Sequence, residues 1–281
     1  MRAAALALLL TCSSAALLAC EGEPPKTALG YTADAKRAYE AALAEFNAHN
    51  WIEATTKMRE VKRKYSYSKY ARLAELRIAD CDFAQDKFAD AIREYRQFVH
   101  DHRSDAEEVS YARSKIAEAE YAQISDSIVL ASSEERDQAV VYDAYKELRG
   151  YLHDYPDAKE SKRMRELLAD VTARLVKHEL YVARFYLQKG NYDAAVLRIQ
   201  YALRNFAPGL EAGKLSARGL PADQMSGLEP EALLLLGETY LKMHNWPLAR
   251  SQFETILSRF RDSGLTMPAQ NFLGWMKERG V

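Results

Sequence analysis

The chain has 281 residues, 48% of them hydrophobic and 28% charged, with 12 Gly and 8 Pro. Its 39 Lys and Arg nearly cancel its 40 Asp and Glu, which argues against the strongly basic footprint of a nucleic-acid binder. There is enough apolar content for a sizeable core, in one large domain or two small ones. Ala, Leu, Glu, Lys and Arg are abundant and no long alternating β-branched run occurs, so the residues favour helices.

Residues 1–19 read as a cleaved export signal. Arg2 supplies the positive start, and Ala3 to Leu18 is apolar apart from Thr11, Cys12, Ser13 and Ser14. That stretch is too short and too interrupted for a membrane span. Leu17-Leu18-Ala19-Cys20 resembles the lipobox of bacterial lipoproteins, which implies cleavage before Cys20 and its acylation. Several acyl chains would hold the protein on a membrane, since each buried methylene contributes about 0.8 kcal/mol. Glu21 follows. In the lipoprotein sorting rule an Asp there retains the protein in the inner membrane, so Glu21 favours the outer one. Loss of Cys12 and acylation of Cys20 leave Cys81 alone, a small buried hydrophobe of the helical run LAELRIADCDFA. Residues 20–34, with Pro24, Pro25 and Gly30, read as a flexible tether.

From residue 35 to 281 the chain repeats. Ala54, Ala91, Ala144, Ala195 and Ala249 align, each in the second helix of a unit. Trp51, Phe88, Val141, Tyr192 and Trp246 stand before them, and Met58, Tyr95, Leu148, Ile199 and Phe253 after them. The further positions Val61, Phe98, Tyr151, Ala202 and Ile256, then Tyr65, His102, Tyr155, Phe206 and Phe260, complete one helix face. The joints repeat too. Gly190 suits the left-handed position that closes a helix, and Asn191 the cap of the next. Asn50-Trp51 and Asn245-Trp246 look like the same device, with Glu53 at capping-box spacing from Asn50. Asp157 and Glu160 have that spacing for a helix after Tyr155-Pro156.

The expected architecture is therefore all-α, a tetratricopeptide-like α-solenoid of about five helix-turn-helix repeats. The step from Ala54 to Ala91 is near the roughly 34 residues of a tetratricopeptide repeat, and later steps are longer. Two inserts are expected, at residues 125–137 and at 207–230, the second Gly- and Pro-rich and read as a mobile loop. Lys162 to Gln188 contains no breaker and predicts one long helix. Its aromatics, with Tyr181 and Phe185 on one row and Val182 and Tyr186 on another, suggest burial on more than one side.

No phosphate loop, zinc-protease or nucleophile-elbow motif is present. His100-Asp101-His102 comes nearest to a metal site, but residues i and i+2 of a helix point apart, and the triplet reads as a solvated helix end. No catalytic residue, metal ligand or cofactor is assigned. The repeats point to a binding scaffold.

The lipobox, tether and five repeats with long third and fourth units resemble the BamD family, lipoproteins of the β-barrel assembly machinery in Gram-negative outer membranes. The likeness covers about Ala35 to Phe260 and is most specific over Tyr145 to Phe206. There a helix ends in Tyr-Pro, and a long helix carries a K-x-E-x-x-V-A-x-x-Y core. A Gly turn and an A-V-x-R-x-x-x-x-L helix follow. YSYSKYA at Tyr65 to Ala71 is similar to the family's Y-P-F-G-P-Y-S joint, with Ser66, Ser68 and Lys69 replacing the usual Pro and Gly. The 207–230 insert departs from the family's short turn.

The resemblance implies a lipid-anchored scaffold on the periplasmic face of the outer membrane. Its partners would be the barrel-forming subunit, through that subunit's POTRA domains, and unfolded outer-membrane proteins. Tyr65, Tyr67, Lys69 and Tyr70 are the candidate client site, with Lys69 facing a carboxylate. Tyr65 also holds a repeat-core position, so burial competes with that role. Arg198, at the family's Arg, is the candidate partner anchor, and a solvated helix face is the competing assignment. Two alternatives stand beside this reading. One is another repeat lipoprotein of the envelope, such as a secretin pilotin or a cell-envelope coordinator. The other is a peptidoglycan-acting enzyme, which needs a carboxylate pair converging in a cleft.

Overall fold

The computed structural model describes residues 28–124, 135, 137–206 and 228–281. The expected signal, Cys20, the first part of the tether and most of both expected inserts lie outside the described residues. Among the described residues the regular structure is helical throughout. The first helices are α1 (Ala28–Asn47), α2 (Trp51–Lys64), α3 (Lys69–Ala84), α4 (Phe88–Asp101), α5 (Ala106–Ala122) and α6 (Ala139–Asp154). There follow α7 (Ser161–Gln188), α8 (Tyr192–Asn205), α9 (Leu228–Lys242), α10 (Trp246–Arg259) and α11 (Thr266–Glu278). They pair as α1–α2, α3–α4, α5–α6, α7–α8 and α9–α10, with α11 after the last pair.

The five aligned alanines fall on the second helix of each pair, and all are 0% exposed. A methyl there lets the neighbouring helix approach closely. One turn on, Met58, Tyr95, Leu148, Ile199 and Phe253 are also fully buried. Sequence neighbours pack on each other from α4 through α11, and α5 and α7 also touch, as in stacked repeats.

The chain divides into two compact units inside α3, after Ile78. In the first, Ala35, Tyr39 and Ala42 of α1 pack with Met58 and Val61 of α2 and Ala74 of α3. In the second, one continuous core runs through Leu148, Met164, Leu175, Ile199, Leu236, Phe253 and Met276. Cys81 is completely buried there. Asp80 is buried as well, and it accepts hydrogen bonds from the hydroxyls of Tyr95 and Tyr111. A carboxylate out of water needs such donors.

The joints follow one plan with different residues. Gly190 takes φ 72°, as expected, while His49, Asp86 and His244 adopt positive φ at the equivalent turns. Asn191 and Asn245 cap their helices, accepting from the amides of Ala194 and Leu248 at 3.2 and 3.3 Å. Asn50 does not. Its amide donates instead to Glu45 of α1 at 2.9 Å. Glu45 also receives Lys57 at 2.7 Å. Lys57, and then Asn50, hold its carboxyl below the usual range. The charge-assisted bond from the Asn50 Nδ2 to Glu45 fixes the Asn50 side chain in an orientation in which its Oδ1 takes no helix amide.

Other boundaries differ from expectation. Helix α1 starts at Ala28, ahead of residue 35, and Tyr31 at the end of its first turn packs edge-on against Tyr65 at 5.4 Å. That contact offsets the helix penalty of Gly30, about 1 kcal/mol. Helix α7 starts at Ser161, so Asp157 and Glu160 form no capping box; the Ser161 hydroxyl binds the Tyr155 carbonyl across the Pro156 turn. Leu228, Glu229 and Pro230, expected at the end of the insert, are buried in the first turn of α9, where Pro needs no amide donor. On α7, Tyr181 and Phe185 are 40% and 49% exposed, while Leu180 and Ala183 are buried. The helix therefore keeps one open face rather than burying aromatics all round.

Candidate binding surfaces

The joint between α2 and α3 separates its aromatic residues. Tyr65 closes α2, its amide donating to the Val61 carbonyl, and its ring is 7% exposed. It belongs to the core. Ser68 is buried and makes the turn: its hydroxyl donates to the Tyr65 carbonyl at 2.8 Å and accepts from the Ala71 amide at 3.2 Å. Tyr67 is thrown outward at 97% exposure. Tyr70 is half-buried, its ring 5.7 Å from that of Tyr39. The exposed Lys69 ammonium lies 5.3 Å from the Tyr70 ring centre, a cation–π distance. Of the four candidates, Tyr67, Lys69 and the outer edge of Tyr70 are available to a ligand. The last turn of α2 adds Lys62, Arg63 and Lys64, of which Lys62 pairs with Glu75 at 3.3 Å. These cations were missed from sequence because helix-end cations usually serve the dipole.

Arg198 lies on the exposed side of α8. Its guanidinium sits 3.3 Å from Glu179 of α7, whose side chain is 4% exposed. One end of this pair is thus in the core and the other at the surface. Beside it the hydroxyls of Tyr142 and Tyr201 meet at 3.3 Å. Burial, then the bond to Tyr201, pushes the Tyr142 hydroxyl well above its ordinary pKa. Tyr142, Tyr145 and Tyr201 surround the buried Phe206, with ring centres 6.0, 5.5 and 5.7 Å away. Tyr145 donates to the Asn205 carbonyl and accepts from Arg149, both at 3.1 Å. Leu197 is 62% exposed and Tyr201 38%. A fixed aromatic base with exposed Leu197, Arg198 and Tyr201 has the composition of a protein-binding patch. Glu179 had a readable signal, being an acid among Val176, Leu180 and Ala183 on the core face.

His100 and His102 do not converge. The His100 ring bonds Asp101 at 2.8 Å, while His102 packs on Phe98 with centres 4.6 Å apart. Gln97 first, then His100, hold the Asp101 carboxyl below its usual range. Among the described residues no group of three or more His, Cys, Asp or Glu is placed to hold a metal ion.

A family model described as an outer membrane lipoprotein, YfiO, matches residues 32–221. The chain belongs to the YfiO outer-membrane lipoprotein family. A tetratricopeptide-repeat model matches residues 231–263, the α9–α10 pair. Similar proteins carry the name outer membrane protein assembly factor BamD. The one from Caulobacter vibrioides is 26% identical over 81% of this chain and 67% of its own length. That of Neisseria meningitidis serogroup A is 26% identical over 61% of this chain and 65% of its own. That of Vibrio cholerae is 22% identical over 80% and 89%. The chain thus spans about two thirds of the length of the first two.

Both candidate surfaces of this YfiO-family chain, Tyr67 to Tyr70 and Leu197 to Tyr201, fall inside the matched residues. Helices α9, α10 and α11 lie beyond them. Among the described residues no helix is long and apolar enough to cross a membrane.

Proposed function

We propose that this protein is a lipid-anchored scaffold for assembling outer-membrane proteins, held at the periplasmic face of the outer membrane through acylated Cys20. Family membership carries the reading, supported by relatives that bear the name of an assembly factor. Its work is binding rather than catalysis. The patch of Leu197, Arg198 and Tyr201 takes the POTRA-bearing barrel subunit, because its aromatic base is already ordered and little entropy is lost on docking. Tyr67, Lys69 and Tyr70 take the aromatic, carboxylate-ended segment of an unfolded client, with Tyr65 holding the joint from beneath.

Photo-crosslinking residues placed at 67 and at 197 test the assignment in cells. Capture of nascent outer-membrane proteins from 67 and of the POTRA-bearing subunit from 197 is the expected result. Capture of neither class from either position refutes it.

A further inference from the structure

A groove of about 900 Å³ opens between α9 and α11, outside both surfaces described above. Leu234, Leu241, Phe272 and Trp275 form its walls. The walls are set before any ligand arrives. Phe272 stacks on the core ring of Phe253 at 4.9 Å and 10°. Trp275 is covered on another side by Arg279, 4.5 Å from its ring centre, and neighbours Trp246 at 6.2 Å. Apolar walls already in place suit an apolar side chain.

Glu238 lines the same groove. It is half-buried, yet it makes no hydrogen bond and has no cation within ion-pair distance among the described residues. Lys242, one turn further on, is exposed and makes no ion pair with it. Arg184 is committed to Glu231. Burial pushes the Glu238 carboxyl up, and Lys242 and Arg184 only partly counter this. A carboxylate left in this way gains from a cation delivered by a ligand. Val281 does not supply the occupant, since its carbonyl oxygen is held by Arg250 at 2.7 Å. Asn271, exposed on the rim, offers an amide to a bound backbone.

We infer that the α9–α11 groove docks a peptide segment of a partner protein that carries a large apolar side chain beside a Lys or Arg, the apolar group entering against Phe272 and Trp275 and the cation pairing with Glu238. The inference rests on this groove alone and stands or falls separately from the assignments above.

The test uses the mature full-length chain and three labelled peptides with one Leu–Phe pattern and Lys, Gln or Glu at the polar positions. The 281-residue chain has a formal net charge of −1, and loss of residues 1–19 removes Arg2 and makes it −2, so the Glu238→Gln comparison, and not the Lys preference alone, separates the groove from general attraction. That peptide is expected to bind about tenfold tighter than the Glu peptide. The preference vanishes in Glu238→Gln and reverses in Glu238→Lys; thermal melts confirm folding, and the Gln variant decides if the Lys variant fails. Equal binding of the Lys and Glu peptides, no binding at all, or a preference that survives Glu238→Gln overturns the inference. So does sedimentation showing that the wild-type chain self-associates and Trp275→Ala does not, which would give the groove to a second copy.

Discussion

Arg198 and Glu179 show how one side chain can serve both stability and recognition. The Glu179 carboxylate is buried, and Arg198 is its cationic partner across α7 and α8. Removing the cation leaves a buried charge, which costs more than a surface pair contributes. Arg198 is 45% exposed, so screening reduces the effect. Arg198→Ala should lose about 1–2 kcal/mol in urea unfolding, and Glu179→Gln in the same chain should restore part of it. A partner-binding defect of Arg198→Ala is therefore read correctly only beside the double variant. Glu238 gives a pH effect of definite sign. Its folded pKa lies above 4.5, the ordinary value, because of burial. The stability it contributes is present below the unfolded pKa and is lost as pH rises through the folded one. Glu238→Gln should thus raise the melting temperature at neutral pH, and the gain should disappear as the pH falls to about 4.5. At this scale the sequence was a partial guide. Tyr65 is core, as its repeat position says, whereas the exposure of Tyr67 depends on a turn closed by the Ser68 hydroxyl, which no periodicity encodes.

At the scale of elements, the helix pairs were readable because their core face repeats. The offsets around each Ala place the same side of every second helix inward: the Ala and the residues four and seven after it are buried in all five, while the residues three before and eleven after it are only partly buried in most. The joints were less readable, because a cap depends on which partner fixes the side chain. Asn191→Ala and Asn245→Ala should each cost about 1 kcal/mol, and Asn50→Ala distinctly less, since only the first two side chains bind a helix amide. Chemical denaturation of the three variants measures the difference. Leu236-Gly237 and Tyr240, followed by Ala249 and Phe253, match the tetratricopeptide pattern L-G-x₂-Y…A-x₃-F. Gly237 is required there by space, because a Cβ would run into the Phe253 ring. Gly237→Ala should cost about 1–3 kcal/mol despite the better helix propensity of Ala, and a thermal melt should show it. A marked gain in stability would show that α9 and α10 have room to separate.

For the whole molecule, all-α repeats and family likeness were legible from the sequence, and the match over residues 32–221 agrees with them. The ends of the inserts were not. The expected 207–230 segment loses Leu228 to Pro230 to α9, since Gly and Pro content marks a break without saying where packing resumes. The roles proposed for Cys20, Tyr67, Lys69, Tyr70 and Arg198 converge on one claim: the chain works at the outer membrane as the partner of a barrel-forming subunit. Affinity purification of the tagged, full-length chain from detergent-solubilised membranes tests that claim most directly. It should bring down a large β-barrel protein with POTRA repeats, and recovery of a secretin, or of no barrel protein, would contradict it.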